Sequence, residues 1–291
     1  MKVGFIGLGM MGRPMAERLI GQGCDIRLYD ADAALARNFG DAFAASPREA
    51  AAKADILITM LPNGDIVRDV LTGAGNALAD IASGAVVVDC SSSDASGTVA
   101  LGADLAQRQI ALVDAPVSGG VPLAREGKLT LMVGGVDDAL FARISPVLEA
   151  LGGRILRVGP LGAGHAAKAI NNAIAAATLA VTAEGLCMGE RFGLAPETLL
   201  DVLNSSTGRS AVSESVFRTQ IVPRTYAQGF ALGLMAKDVG LADRLRDKLG
   251  LDLPMMSHTH RQWQRALAAL GPAADFTAFH QYVEQTLPSR G

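Results

Sequence analysis

The sequence carries no surplus of positive charge. Its formal net charge of −3 removes the electrostatic case for nucleic acid or an anionic membrane surface as a partner. Cysteine is scarce. Cys24, Cys90 and Cys187 show no CxxC spacing and stand in apolar surroundings, so they read as small core residues in a reducing compartment. No cluster with metal-ligand spacing occurs; His258 and His260, two apart on a predicted helix, do not share a face. Neither GxSxG nor a Ser-His-Asp order is found, which argues against a serine hydrolase. No signal-like segment stands before the strand-like KVGFIG, and a soluble, cytoplasmic protein is expected.

The chain is long and apolar. Its 291 residues, 49% hydrophobic and 19% charged, suit two packed domains rather than one core or a disordered chain. The run Val3–Ile6 closes on Gly7-Leu8-Gly9-Met10-Met11-Gly12, and Arg13–Gly23 then has helical character. Strand, glycine turn, helix is the context in which GxGxxG binds a dinucleotide. Gly7 permits the tight turn, Gly9 the approach of a pyrophosphate, and Gly12 close packing of helix on strand. The helix N-terminus offers free N–H groups and a positive dipole end to the phosphates. A second strand, Ile26–Tyr29, ends in Asp30, roughly 20 residues on, where an acidic residue meets the adenosine ribose. A carboxylate there accepts from ribose hydroxyls and repels a 2′-phosphate, and no Arg stands beside it. NAD(H) is therefore expected over NADP(H).

Alternation of strands and helices continues. Strand Ile56–Met60 closes on Leu61-Pro62-Asn63, with a helix starting at Ile66; strand Val86–Asp89 closes on Cys90-Ser91-Ser92-Ser93. This pattern predicts a doubly wound parallel sheet, in which ligands sit beyond the carboxyl ends of strands. Leu61, Pro62 and Ser92 are at those ends and are candidates to line a cofactor groove. The serine cluster reads equally well as a helix N-cap. Further on, Asp114-Ala115-Pro116-Val117-Ser118-Gly119-Gly120 makes a loop whose amides can converge on one carboxylate, or an ordinary glycine turn. A hairpin-like Leu129–Val133 and a last strand, Ile155–Val158, follow.

Gly162 to Phe192 reads as one long helix, rich in Ala, Leu and Met and without Pro. No charged side chain stands between Lys168 and Glu184, which predicts a helix buried on every side. The run is too short and too rich in Asn and Thr for a convincing membrane span. Lys168 and Asn172 lie four apart and project from one face. A cation and an amide at the head of a buried helix are costly unless solvated or put to use; the other reading is a surface Lys on an exposed first turn.

Three stretches, GFIGLGMMGRPMA, DAPVSGG and GAGHAAKAINN, stand in an order and spacing that resemble the β-hydroxyacid dehydrogenase family. The likeness runs nearly the whole chain, down to FALGLMAKDVGLA. It implies hydride transfer between NAD and a small 3-hydroxy acid, such as 3-hydroxyisobutyrate or the glycerate/tartronate semialdehyde pair. Threonate-like sugar acids and sulfonate analogues are further possibilities for the substrate. It further implies that Lys168 is the catalytic acid/base and that Asn172 contacts substrate. Ser118, Gly119 and Gly120 would hold the substrate carboxylate, with Lys237 near the nicotinamide. The Leu61-Pro62 turn and Ser92 would touch the dinucleotide; Ser92 stands where many relatives carry Thr, and keeps the hydroxyl. Asp30 matches the NAD-using members.

Beyond Ala195 strand signals vanish, and the segments around 197–203, 212–221, 230–249, 254–270 and 276–287 read as helices. The expected architecture is α/β: a Rossmann-type doubly wound sheet (1–161), a long interdomain helix (162–192) and an all-helical domain for substrate and oligomerisation (193–291). The apolar fraction implies a homo-oligomer, a dimer or tetramer. Arg209, in the polar Asn204–Ser210 loop, could pair with a second anionic group on the substrate or be a plain loop residue. His165, one turn before Lys168, ranks below it as a base. An imine or ketone reductase of the same architecture is the alternative enzyme, and a nucleotide-sensing module without catalysis the alternative outside enzymes.

Overall fold

Short apolar runs closed by turns become strands throughout the first half of the computed structural model, which describes residues 1–288. The last three residues of the expected helical domain lie outside the described residues. The chain divides into two compact units, Met1–Lys168 and Ala169–Gly291.

In the first unit, β1 (Lys2–Ile6), β2 (Asp25–Tyr29), β3 (Ile56–Thr59), β4 (Val86–Asp89) and β5 (Ala111–Asp114) run parallel in the order β2-β1-β3-β4-β5. The crossovers contain α1 (Gly12–Gly21), α2 (Ala36–Phe39), α3 (Pro47–Ala51), α4 (Gly64–Thr72) and α5 (Ala95–Ala106). β3 and β4 are buried at every residue, as central strands covered on both faces must be. Side chains alternate between two cores. Phe5, Ile58 and Val88 join one, while Ile6, Leu57 and Val87 join the other.

The sheet is not wholly parallel as expected. Past β5, β7 (Leu129–Gly134) joins antiparallel, with Asp114 opposite Gly134, and β6 (Val117–Ser118) pairs antiparallel to β7. Pro116, which has no N–H for a ladder, separates β5 from β6 and leaves its carbonyl to accept from Met132. Only α6 (Gly120–Glu126) links β6 to β7, and α7 (Asp138–Leu151) leads to β8 (Gly152–Gly159), parallel to β7. The hairpin-like segment is thus the edge at which strand direction reverses.

In the second unit the regular elements of the described residues are all helices, and one isolated bridge joins Ala231 to Asp275. α8 (Ala163–Phe192) enters from the first unit, followed by α9 (Pro196–Asn204), α10 (Leu232–Lys248), α11 (Pro254–Leu270) and α12 (Phe279–Thr286). Val212–Ile221 is helical as expected, in the form of a π-helix. Trp263 centres this core, stacked on Phe279 with ring centroids 4.6 Å apart and its indole N–H donating to the Ala176 carbonyl at 3.2 Å. Burying the ring without that partner would cost about 1–3 kcal/mol.

The expectation that α8 is buried on every side is corrected. Ala173, Ala176, Leu179, Ala183 and Leu186 are buried, but Ile170, Ile174, Val181, Met188 and Phe192 are exposed. An apolar composition says that a helix has no polar face; it does not say how many of its faces this chain covers. By length and composition α8 could cross a membrane, yet half of its apolar window is buried within the protein.

Candidate functional site

The glycine turn separates what the fold needs from what a ligand needs. A Cβ on Gly7 would stand 2.2 Å from the Met60 carbonyl oxygen, and Gly7 itself holds φ at 101°. A Cβ on Gly12 would be 1.9 Å from the Gly7 carbonyl oxygen. Both positions are closed by the protein's own backbone. At Gly9 a Cβ would meet nothing within 4 Å, so the space over it is open to an incoming group. α1 has Met11 at its N-cap position, with no side-chain cap and no acidic residue in its first turn, leaving its positive end for an anion. Leu8 is buried and Met10 exposed. The Asp30 carboxylate sits at the end of β2 and accepts from the Leu8 amide at 2.6 Å and the Asp32 amide at 2.9 Å. An open cradle, an uncapped helix start and an adjacent carboxylate fit a dinucleotide with its ribose hydroxyls free.

Two buried carboxylates organise the neighbouring strand ends, and sequence reading assigned neither a role. Asp89 ends β4 and accepts from the Thr59 hydroxyl at 2.9 Å, the Ser91 amide at 3.0 Å and the Ser93 hydroxyl at 3.0 Å. The Ser91 hydroxyl in turn accepts from the Leu61 amide at 2.9 Å, so the Leu61-Pro62 turn is tied to the serine turn. Ser91 and Ser93 therefore do not cap α5. The cap is Asp94, which accepts from the Gly97 amide at 2.7 Å, and Ser92 is half-buried between them.

Asp114 ends β5 and accepts from the amides of Gly162 and His165, each at 2.8 Å. It thus satisfies N–H groups at the start of α8, which a helix leaves without partners of its own. His165 is sealed from solvent, with Nδ1 2.8 Å from the Thr98 hydroxyl and Nε2 3.6 Å from Asp89. It serves the packing of α8 and is closed to substrate. A carboxylate terminating an apolar strand, as in VVVD and LVDAP, is the signal that could have found both residues.

Lys168 and Asn172 stand four residues apart on α8, Lys168 half-buried and Asn172 buried. The Asn172 amide nitrogen donates to the Asp238 carboxylate at 2.6 Å, and Lys237 Nζ lies 3.2 Å from the other oxygen of Asp238. Asp238, only 2% exposed, joins two of the residues singled out in the sequence. It was visible only as the neighbour of Lys237. In the first unit, Ser118 is half-buried at the end of β6, and Gly119 and Gly120 are exposed at the start of α6 with φ of 133° and 69°. Positive φ at two successive residues favours glycine, which has no Cβ to clash there.

Other candidates stand elsewhere. Arg209 is exposed and pairs with Glu214 at 3.6 Å. His260 Nδ1 bonds Asp243 at 2.8 Å, while His258 meets Gln262. Burial raises the Cys90 thiol, and burial with nearby Glu284 and Glu190 pushes Cys187 up to about 11, so neither supplies a thiolate at neutral pH.

Residues 2–159 match the family model described as the NAD binding domain of 6-phosphogluconate dehydrogenase. Residues 162–283 match the one described as NAD-binding of NADP-dependent 3-hydroxyisobutyrate dehydrogenase. The chain is 40% identical to 2-(hydroxymethyl)glutarate dehydrogenase of Eubacterium barkeri, over 87% of this chain and 85% of that one. The chain belongs to the β-hydroxyacid dehydrogenase family. It is also 37% identical to the mitochondrial 3-hydroxyisobutyrate dehydrogenase of Mus musculus, over 98% of this chain and 88% of that relative. The solved structure of Mycobacterium tuberculosis 3-hydroxyisobutyrate dehydrogenase with L-serine superposes with a TM-score of 0.89 at 33% identity, covering 97% and 98% of the two chains. As a member of this family, the protein is an NAD-dependent hydroxyacid dehydrogenase with an N-terminal Rossmann-type sheet and a helical C-terminal region.

Proposed function

We propose that the enzyme carries out reversible hydride transfer between NAD and a small 3-hydroxy acid, with Lys168 as general acid/base. Residues 1–161 would bind the dinucleotide, 162–192 link the domains, and 193–291 serve substrate and oligomerisation in a cytoplasmic homo-oligomer. The observation that carries the reading is the head of α8. Asp114 holds the start of the helix, Lys168 follows three residues after His165, and Asn172 is anchored by Asp238 one turn further. A cation and an amide are thus presented from one face on a backbone fixed at its origin.

The turn Gly7, Leu8, Gly9, Met10, Met11 and Gly12 would hold the pyrophosphate, Asp30 the ribose, and Leu61, Pro62 and Ser92 the flank of the dinucleotide, with Lys237 near its nicotinamide end. NAD, when bound, would supply the hydride acceptor for oxidation and, as NADH, the donor for reduction. Ser118 and the amides of Gly119 and Gly120 would bind the substrate carboxylate, and Asn172 would orient the substrate. In oxidation the Lys168 amine accepts the proton of the substrate hydroxyl; in reduction the ammonium returns it to the developing alkoxide. A neighbouring positive charge would favour the neutral amine the first step needs. Holding the carboxylate and the hydroxyl at once fixes the carbinol carbon, and positioning of this kind supplies much of the acceleration.

The relatives' names point to three acids for a first screen: 3-hydroxyisobutyrate, L-serine and 2-(hydroxymethyl)glutarate, followed by glycerate, threonate-like acids and a sulfonate analogue. NADH formation is the readout. Lys168→Ala should lose about 10²–10⁴ in turnover while NAD affinity changes little. Near-wild-type turnover of that variant would remove Lys168 from the chemistry.

A further inference from the structure

α5 and α8 begin side by side and in step. A Cβ on Gly162 would stand 2.8 Å from the Ala95 carbonyl oxygen, so the two backbones touch there. Three residues further along each stretch, His165 Nδ1 lies 2.8 Å from the Thr98 hydroxyl. A third contact fixes the depth: a Cβ on Gly164 would be 2.2 Å from the Met132 carbonyl oxygen on β7. The first turn of α8 is therefore wedged between α5 and the sheet, and Lys168 follows His165 by three residues.

The His165 ring has a second neighbour. Its Nε2 faces Asp89 Oδ2 across 3.6 Å, is sealed from water and makes no hydrogen bond among the described residues. Asp89 stands at one end of the turn over residues 90–94. Thr98 holds the other end, since its hydroxyl donates to the Asp94 carbonyl at 3.1 Å. The imidazole thus bridges both ends of the turn that carries Ser92. From Asp89 the same framework reaches the Leu61-Pro62 turn, through the amide and then the hydroxyl of Ser91. Asp89, Ser91, Ser93 and Thr98 are all buried, like His165 itself.

Packing alone does not call for this side chain. A leucine fills comparable space with no polar atom, whereas a buried nitrogen without a partner costs the fold stability. We propose that His165 is a positioning residue for hydride transfer: its ring, held between Asp89 and Thr98, fixes the distance from the Ser92 turn to Lys168. The inference rests on the proposed function, in which Ser92 flanks the dinucleotide and Lys168 moves the proton. Sealed from solvent, His165 acts on neither substrate nor cofactor directly. Its effect is on spacing, and an error of about 1 Å in such spacing can cost about 10²-fold in rate.

Wild type, His165→Leu, His165→Gln and Thr98→Val are compared as whole enzymes with NAD and the fastest acid of the proposed screen, 3-hydroxyisobutyrate being tried first. In stopped flow the single-turnover rate constant reports geometry, while the amplitude reports how much enzyme is folded. His165→Leu should melt no lower than wild type, because it removes the unpaired nitrogen. Its rate constant should nevertheless fall about tenfold or more, at unchanged substrate KM. His165→Gln, with a donor and an acceptor at its tip, should recover most of that loss. Thr98→Val should also lower the rate constant, and the double variant should lose no more than His165→Leu alone, since both act through one bridge. In the enzyme without ligands, hydrogen exchange over residues 89–94 should quicken in His165→Leu, and exchange over β3 should not.

A His165→Leu rate constant within about twofold of wild type would overturn the inference and leave Lys168 in its role, whatever the melt shows. Unaltered exchange over residues 89–94 would do the same. Should His165→Leu not fold, Thr98→Val decides by the same two readouts. If no acid of the screen yields NADH, or if Lys168→Ala turns over normally, the proposed function falls and this inference falls with it.

Discussion

The side-chain amide of Asn172 donates to the carboxylate of Asp238 across 2.6 Å, and both residues are buried. One oxygen of Asp238 therefore fixes an amide on α8, while the other lies 3.2 Å from Lys237. Asp238→Ala would leave a buried amide without its acceptor, costing about 1–3 kcal/mol of stability. Misplacement of Asn172 should also lower kcat/KM by about 10²-fold. Steady-state kinetics beside a thermal melt separate the two. A variant that melts lower but turns over normally would show that Asp238 serves only the fold.

Asp114 acts on the same helix from its beginning. Asp114→Asn keeps the shape but replaces a charged acceptor of two amides by a neutral one. The loss should be about 1–2 kcal/mol, the upper part of the range for a helix cap. A denaturant midpoint shift at constant slope measures it.

Asp30 should decide the cofactor. Its carboxylate would repel a 2′-phosphate, so the enzyme should favour NAD over NADP, and Asp30→Asn should narrow that preference by roughly tenfold or more. The ratio of kcat/KM for the two cofactors, in wild type and variant, is the test. A wild type that prefers NADPH contradicts the role.

His280 gives the helical unit a pH dependence. It is 3% exposed, and burial, reinforced by Arg224, lowers its pKa below the ordinary 6.5 although Glu284 pulls the other way. The unfolded chain then binds a proton that the folded chain refuses. Its contribution to stability is present above pH 6.5 and is lost as the pH falls towards the folded value. Melts between pH 7 and pH 5.5 should show falling stability, at most about 1.4 kcal/mol per pH unit from one site. His280→Gln should flatten that slope.

How far the sequence reaches depends on distance along the chain. The strand, glycine turn and helix from Lys2 to Gly21 were legible because each residue's task is set by close neighbours, and Asp30 follows at a fixed interval. The reversal at β6 and β7 was not, since it depends on Asp114 meeting Gly134 across two intervening helical turns of chain. The roles of Asp89, Asp114 and Asp238 were hidden for the same reason: Asp114 serves amides about 50 residues away, and Asp238 serves Asn172 from 66 residues away. α8 was legible as a helix but not in its exposure. Composition fixes which residues avoid water, whereas coverage depends on how many other helices the chain can bring to them.

The three glycines of the first turn are not equivalent in what they owe. Gly7 and Gly12 are demanded from within, by carbonyls already pressed against them, so enlarging either would damage the apoprotein itself. Gly9 answers only to a visitor. A single methyl there would leave a chain that folds as before yet turns its dinucleotide away, making it the place in this turn where architecture and occupancy can be pulled apart.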